Sequence, residues 1–454
     1  MQNSDSKIEC IIDGVMARMH NGTLRAGDRL RSIREEATVM GVSKNTVVEA
    51  YLRLVARGVV VARPGSGYYV SRTSTRKKSP ALPSIPGAVR PTELLTEQLE
   101  RRLPIRPGDG RLPPDWLESN EMRRPISVIR MNADDTYNTA WGLLPLRERL
   151  CGTLAERGIQ CQPNQVLTTY GGNHGMDLVI RCYVRPGDAV LVDDPGYYPL
   201  FWKLGVAGAR IVGVRRRHDG PDLEDLSEKA RLTGARLFFT QSLAHNPTGG
   251  SITQGIAYGV MKIAEEHDML LVEDDPFADI LPYTAPRLAA LDQLNRVIYI
   301  GSFSKTLPGS VRVGYIAAAP ELAQELNEMK VISIVSTSAQ NERLVHSLIE
   351  GAQYLKYLRR LHDRIHEATA ETVRCLENIG YSVPRPLGGG YYVWIQLTPS
   401  MQQRDLVAEA AQTGIFIAPS GAFTTSDAPA LGMRVNVAYG SDPRFIEWLA
   451  TLSQ

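Results

Sequence analysis

Four short apolar runs constrain this chain more than any other feature. AVLV (189–192), LFFT (237–240), MLLVE (269–273) and VIYIGS (297–302) are rich in β-formers and too short to be buried helices. Between the second and third lies a stretch with helical spacing, ITQGIAYGVMKIAEEHD. Strand, helix, strand in repetition predicts an α/β fold with a mostly parallel sheet. Chemistry in such folds gathers in the loops beyond the carboxyl ends of the strands. Here LFFT leads to His245-Asn246-Pro247-Thr248-Gly249, MLLVE runs into Asp274, and VIYIG opens onto Ser302-Phe303-Ser304-Lys305. An amide, a carboxylate and an amine each follow a separate apolar run.

A chain of 454 residues exceeds one ordinary core, so more than one domain is expected. The first 71 residues read as a separate head. Ile8, Ile11, Ile12, Val15 and Met19 recur at helical spacing, and Gly22 ends that helix. Ser32, with Glu35 three positions on, forms a capping box for a short helix holding Ile33, Ala37 and Met40. After the turn at Gly41, Ser43 caps a second helix. That helix gathers Val47, Ala50, Tyr51, Leu54 and Val55 on one stripe and offers Lys44, Asn45, Thr46, Glu49 and Arg53 on the other. Two helices joined by a short glycine turn make a helix-turn-helix. VVVAR, Pro64-Gly65-Ser66-Gly67 and YYV then predict a hairpin, the wing.

Charge separates head from body. Residues 1–78 hold 14 Lys and Arg against 7 Asp and Glu, although the whole chain carries only +2. A basic head on an acidic body points to nucleic-acid contact by the head. The following stretch, about 72–105, is rich in Ser, Pro and basic residues, lacks periodicity and reads as an extended linker. Its Arg76, Lys77 and Lys78 could equally meet phosphates or keep the linker solvated. The body then runs over 106–454. Five scattered cysteines without a C-x-x-C pair argue against a disulfide framework or a zinc ribbon. No apolar run is long enough to span a bilayer and the N-terminus has no signal-peptide character, so a cytoplasmic protein with no membrane partner is expected. His362 and His366 lie four apart on a predicted amphipathic helix; no third ligand is evident, and no metal is expected.

The head pattern L-x-x-G-D-x-L-x-S-x-R…V-S-x-x-T-V…A-Y-x-x-L…G-x-G-Y-Y-V resembles the GntR family of winged-helix regulators, and covers nearly all of the head. The resemblance implies DNA contact by Arg34, by Ser43, Lys44, Asn45 and Thr46 at the start of the recognition helix, and by the wing glycine Gly65. Arg31 stands where that family usually has Pro, adding charge and loosening the helix start.

The body's ordered set, N-P-T-G, V-E-D-D-P-F, S-F-S-K and a later Arg, resembles class I aminotransferases, which carry pyridoxal 5′-phosphate (PLP) on fold type I. The resemblance implies that Lys305 forms a Schiff base with PLP and that Asp274 pairs with the pyridine nitrogen, Asp275 being the neighbouring alternative. It implies that Asn246 meets the ring hydroxyl and that Tyr197 stacks on the ring. Gly172, Asn173, His174, Ser302, Ser304 and Arg312 would hold the phosphate. Tyr137 would reach the phosphate of a neighbouring subunit, and Arg434 would bind an effector carboxylate. Two departures stand out. Phe277 occupies the position where a tyrosine hydroxyl commonly meets the cofactor, which puts efficient transamination in doubt. The Pro308-Gly309 pair also sits one place early, although Arg312 keeps its spacing.

Head and body together resemble the MocR subfamily of bacterial regulators. That implies a PLP-dependent homodimer, head-to-tail, reading two DNA half-sites and sensing a small amine, an amino acid or PLP itself by imine exchange at Lys305. The competing reading is a working class I aminotransferase with an accessory DNA-binding domain. It would be marked by turnover with 2-oxoglutarate.

Overall fold

Ser32 starts the second helix of the head as its sequence predicts: its hydroxyl accepts from the Glu35 N–H while the Glu35 carboxylate accepts from the Ser32 N–H. The computed structural model describes residues 2–20, 23–63, 65–71, 91–117, 139–281, 285–384, 390–398, 405–426 and 432–452. The expected turn at Gly22, the wing residue Pro64, the basic residues 76–78 and Tyr137 lie outside them. The chain divides into two units, 1–82 and 83–454.

The head contains α1 (Gln2–His20), α2 (Ile33–Met40), α3 (Lys44–Ala56) and the antiparallel hairpin β1 (Val60–Arg63) and β2 (Gly67–Val70). Ile8, Ile11, Ile12 and Val15 of α1 pack with Val47, Ala50, Tyr51 and Leu54 of α3. Arg31 does not loosen α2, because the capping box stays intact. Its guanidinium turns instead to buried Glu36, which also pairs with Arg18 at 3.0 Å.

The body opens with a difference from the sequence reading. Part of the stretch expected to be an extended linker is a helix, α4 (Pro91–Glu100). Proline at its start is compatible with a first helical turn. Leu94 is buried in a cluster with Tyr198 and Phe423, and Gln98 Nε2 donates to the Tyr198 hydroxyl at 3.0 Å. Burial of these side chains fixes the segment to the body.

Eight strands follow: β3 (Val166–Thr169), β4 (Ala189–Asp194), β5 (Arg210–Arg217), β6 (Gly220–Pro221), β7 (Leu237–Thr240), β8 (Leu270–Asp275), β9 (Val297–Ser302) and β10 (Gly314–Ala317). Their order across the sheet is β3-β10-β9-β8-β7-β4-β5-β6. The pairs from β9 to β5 are parallel; β10 is antiparallel to both its neighbours. Both faces are covered, which is why the strands read as unbroken apolar runs. Alternate residues feed different cores: Phe238 and Leu271 one, Phe239 and Val272 the other. A C-terminal antiparallel sheet of β11 (Tyr392–Gln396), β12 (Ala418–Pro419) and β13 (Gly432–Asn436) runs in the order β11-β13-β12. Among the described residues no helix is long and apolar enough to cross a membrane.

Candidate functional site

The carboxyl ends of β7, β8 and β9 converge on one cavity of about 130 Å³, lined by Asp274, Lys305, Asn246, Tyr197, Arg312 and Gly172. Asn173, Ser302 and Ser304 line it too. Asp274 and Asp275 are consecutive on a strand and so face opposite ways. Asp275 turns to Arg287, at 2.7 Å, and to the Tyr299 hydroxyl at 2.8 Å. Asp274 is left to the cavity. Burial pushes its carboxyl up to about 7, opposed by a hydrogen bond from Gln241 and by the charge of Lys305.

Gln241, which belongs to none of the recognised motifs, is the joint of the site. Its Nε2 donates to Asp274 Oδ2 at 2.6 Å, and its Oε1 accepts the Asn246 N–H at 2.8 Å. Its backbone is fixed from behind, where the Gln241 N–H donates to Asp193 at 3.2 Å and Arg216 donates to the Gln241 carbonyl at 2.9 Å. The signal was in the sequence: Gln241 directly follows LFFT.

At the other end of the cavity, helix α5 (Gly172–Tyr183) begins. Ser302 Oγ donates to Ser304 Oγ at 3.0 Å, and Arg312 donates to the Tyr170 carbonyl at 2.8 Å. Gly171 has φ +78°, and a Cβ there would come within 3.1 Å of the Arg312 guanidinium. The site thus offers hydroxyls, a guanidinium and free helix N–H groups to an anion. Tyr197 spans toward it, its hydroxyl donating to Asn173 Oδ1 at 3.3 Å.

Two expected residues are engaged by other groups of the chain. The His174 ring turns back toward its own loop, where Nδ1 accepts the Tyr170 N–H at 3.1 Å. Its Nε2 is buried without a partner, and burial pushes the ring down to about 4. Arg434 is buried behind the cavity, donating to Asn246 Oδ1 at 2.9 Å and to the Gly108 carbonyl at 2.7 Å. This orients Asn246, leaving its Nδ2 as the donor for a ligand. Phe277 packs edge-on against Tyr391 and Tyr392, with ring centroids 4.9 and 5.8 Å away.

These features fit PLP. A buried carboxylate with no salt bridge among the described residues suits a protonated ring nitrogen. A Cβ at Gly172 would stand 3.4 Å from Asp274 Oδ1 and take up space in the small cavity beside that carboxylate. The larger cavity, about 610 Å³, lies by Arg215, Arg217, His218 and Trp394. It holds neither Lys305 nor Asp274, and Asp222 pairs with both Arg215 and Arg217 there. The smaller cavity carries the chemistry.

In the head, Arg34, Ser43, Lys44 and Asn45 are exposed and Thr46 is half-buried. Ser43 Oγ accepts the Thr46 N–H at 3.2 Å and so fixes the start of α3. Gly65 is exposed with φ +72°.

The body is a fold type I aminotransferase domain, joined to a helix-turn-helix head. Residues 108–450 match Aminotransferase class I and II, and residues 7–70 match the bacterial regulatory proteins of the gntR family. The chain belongs to the aminotransferase class I and II family and carries a gntR-type domain ahead of it. It is 25% identical, over 95% of both chains, to the uncharacterized HTH-type transcriptional regulator YdcR of Escherichia coli. It is 30% identical to the probable rhizopine catabolism regulatory protein MocR of Rhizobium meliloti, over 69% of this chain and 65% of that one. LysN, the α-aminoadipate aminotransferase of Thermus thermophilus, superposes with a TM-score of 0.72 at 24% identity, over 79% of this chain and 94% of its own.

Proposed function

We propose that this chain is a DNA-binding transcription regulator of the MocR type whose body holds PLP and senses a small amine, an amino acid or PLP itself. The observation that carries the reading is the meeting of Lys305 and Asp274 in one cavity, on a chain that also bears a helix-turn-helix head with a capped recognition helix.

When bound, PLP supplies an aldehyde that condenses with primary amines and a ring that draws electrons once its nitrogen is protonated. Lys305 presents the amine. Asp274 holds the ring proton, kept in line by Gln241. Ser302, Ser304, Arg312 and the start of α5 bind the phosphate, and Tyr197 covers the ring. Arg434, which orients Asn246, is the group that would meet an effector carboxylate. Exchange of an effector amine for Lys305 favours one arrangement of the body, and the linker passes the difference to the heads. Coupling of this kind requires the effector to bind one arrangement better. The regulator acts in the cytoplasm as a head-to-tail homodimer, Tyr137 completing the partner's phosphate site, and its paired heads read two half-sites.

The test is DNA binding by purified protein to its own promoter region, with and without PLP and a panel of amines. Affinity that shifts with PLP or an amine supports the reading; identical affinity throughout removes sensing. A second reading, aminotransfer, is favoured by Lys305, Asp274 and Asn246 lining the same cavity. Steady consumption of an amino donor with 2-oxoglutarate would establish it.

A further inference from the structure

The Lys305 amine lies in a receptor of its own. Nζ donates to the Gly110 carbonyl at 2.7 Å and to the Tyr392 hydroxyl at 3.2 Å. Tyr392 donates in turn to the Gly110 carbonyl at 2.8 Å, so its oxygen lone pairs are turned to Nζ. Three aromatic rings, Phe277, Tyr391 and Tyr392, stand 5.6–5.8 Å from the nitrogen. Cations are attracted to such faces.

The receptor is built with care. Asn436 Nδ2 donates to the carbonyls of Asp109 at 3.0 Å and Arg111 at 2.8 Å, which fixes the segment that presents Gly110. Arg434 holds Gly108 and stacks 4.6 Å over the Tyr392 ring. Tyr392 is 1% exposed.

An amine bonded to an aldehyde carbon as an imine keeps at most one N–H. A free lysine amine has two, and three when protonated. Two converging oxygen acceptors therefore match the free amine and not the linked one. Resting on the reading that PLP links to Lys305, we infer that Gly110 and Tyr392 form a docking site for the Lys305 amine whenever it is released from the cofactor. In exchange, the bond from the aldehyde carbon to Nζ breaks as the bond to the incoming amine nitrogen forms. An incoming R–NH3+ passes two hydrogens to Nζ, so the protonated link is conserved and lysine leaves as an ammonium. Tyr392 is thus a positioning residue that favours the effector-bound state.

The sign of this effect is testable. Capturing PLP pulls Lys305 out of its docking site, whereas binding pyridoxamine 5′-phosphate, which has an amine in place of the aldehyde, does not. Tyr392→Phe removes one acceptor while keeping the ring. It should tighten PLP binding relative to pyridoxamine 5′-phosphate, lowering the ratio of Kd for PLP to Kd for pyridoxamine 5′-phosphate about 3- to 10-fold, as expected for one hydrogen bond. An unchanged ratio, a parallel change in both constants or a rise in the ratio overturns the inference, because each would make Tyr392 a mere wall of the cavity. Should the phenylalanine variant not fold, Tyr392→Met reads the same ratio. Wild-type protein that fails to bind PLP at all would instead bring down the cofactor reading on which this one rests.

Discussion

The side-chain nitrogen of Gln241 lies 2.6 Å from a carboxylate oxygen of Asp274, and this donor works against the burial that drives the carboxyl up to about 7. Gln241→Leu leaves that burial less opposed, so Asp274 is protonated over a wider range and pairs less well with a ring cation. PLP affinity should fall about 10-fold at pH 7, the loss expected for a charged hydrogen bond. Because a raised carboxyl ionises again as pH increases, the deficit should shrink at pH 9. Fluorescence titration with PLP at both pH values measures it.

His174 supplies a stability test. Its folded ring is held down to about 4, against an ordinary histidine near 6.5. Below pH 6.5 the unfolded chain takes up a proton that the folded ring refuses, so stability falls as pH drops toward 4. Between pH 7 and pH 5, wild type should lose about 1 kcal/mol more than His174→Gln, allowing for solvent screening of a half-buried ring. Urea denaturation at the two pH values reads the difference. Equal losses would show that the ring titrates normally.

Gly171→Ala should damage the phosphate end of the cavity. The backbone there, φ +78° and ψ 171°, is a region that costs other residues roughly 1–3 kcal/mol, and the new Cβ would crowd Arg312. Affinities for PLP and pyridoxamine 5′-phosphate should drop together, since both carry the phosphate. A drop confined to PLP would contradict the placement of Arg312.

In the head, Lys44→Ala should weaken DNA binding evenly across sequences and reduce the slope of log affinity against log salt by about 1. Ser43→Ala should instead cost the head about 1 kcal/mol of stability, by removing the acceptor for the Thr46 N–H. Gel-shift titrations at several salt concentrations and thermal melts separate the two.

What could be read from the sequence was local. The capping box of Ser32 and Glu35, the cap at Ser43 and the runs that become β4, β7, β8 and β9 depend on neighbours within a few positions. Asp274 and Lys305 were legible because each stands near or just beyond the carboxyl end of an apolar strand. The helix α4 was hidden by the proline-rich composition ahead of it, although Leu94 and Gln98 stand four apart, at helical spacing. Tyr392 and Gly110 were out of reach. Gly110 and Lys305 are 195 residues apart, and a backbone carbonyl leaves no mark in a sequence. The orientation of His174 depends on a bond to the main chain of Tyr170, which no motif encodes.

The two bonds from Asn436 to residues 109 and 111 tie β13 to the stretch that follows α4 in the chain. β13, which also carries Arg434, therefore shares its position with the stretch that presents Gly110, so that a substitution at Asn436 would loosen both together.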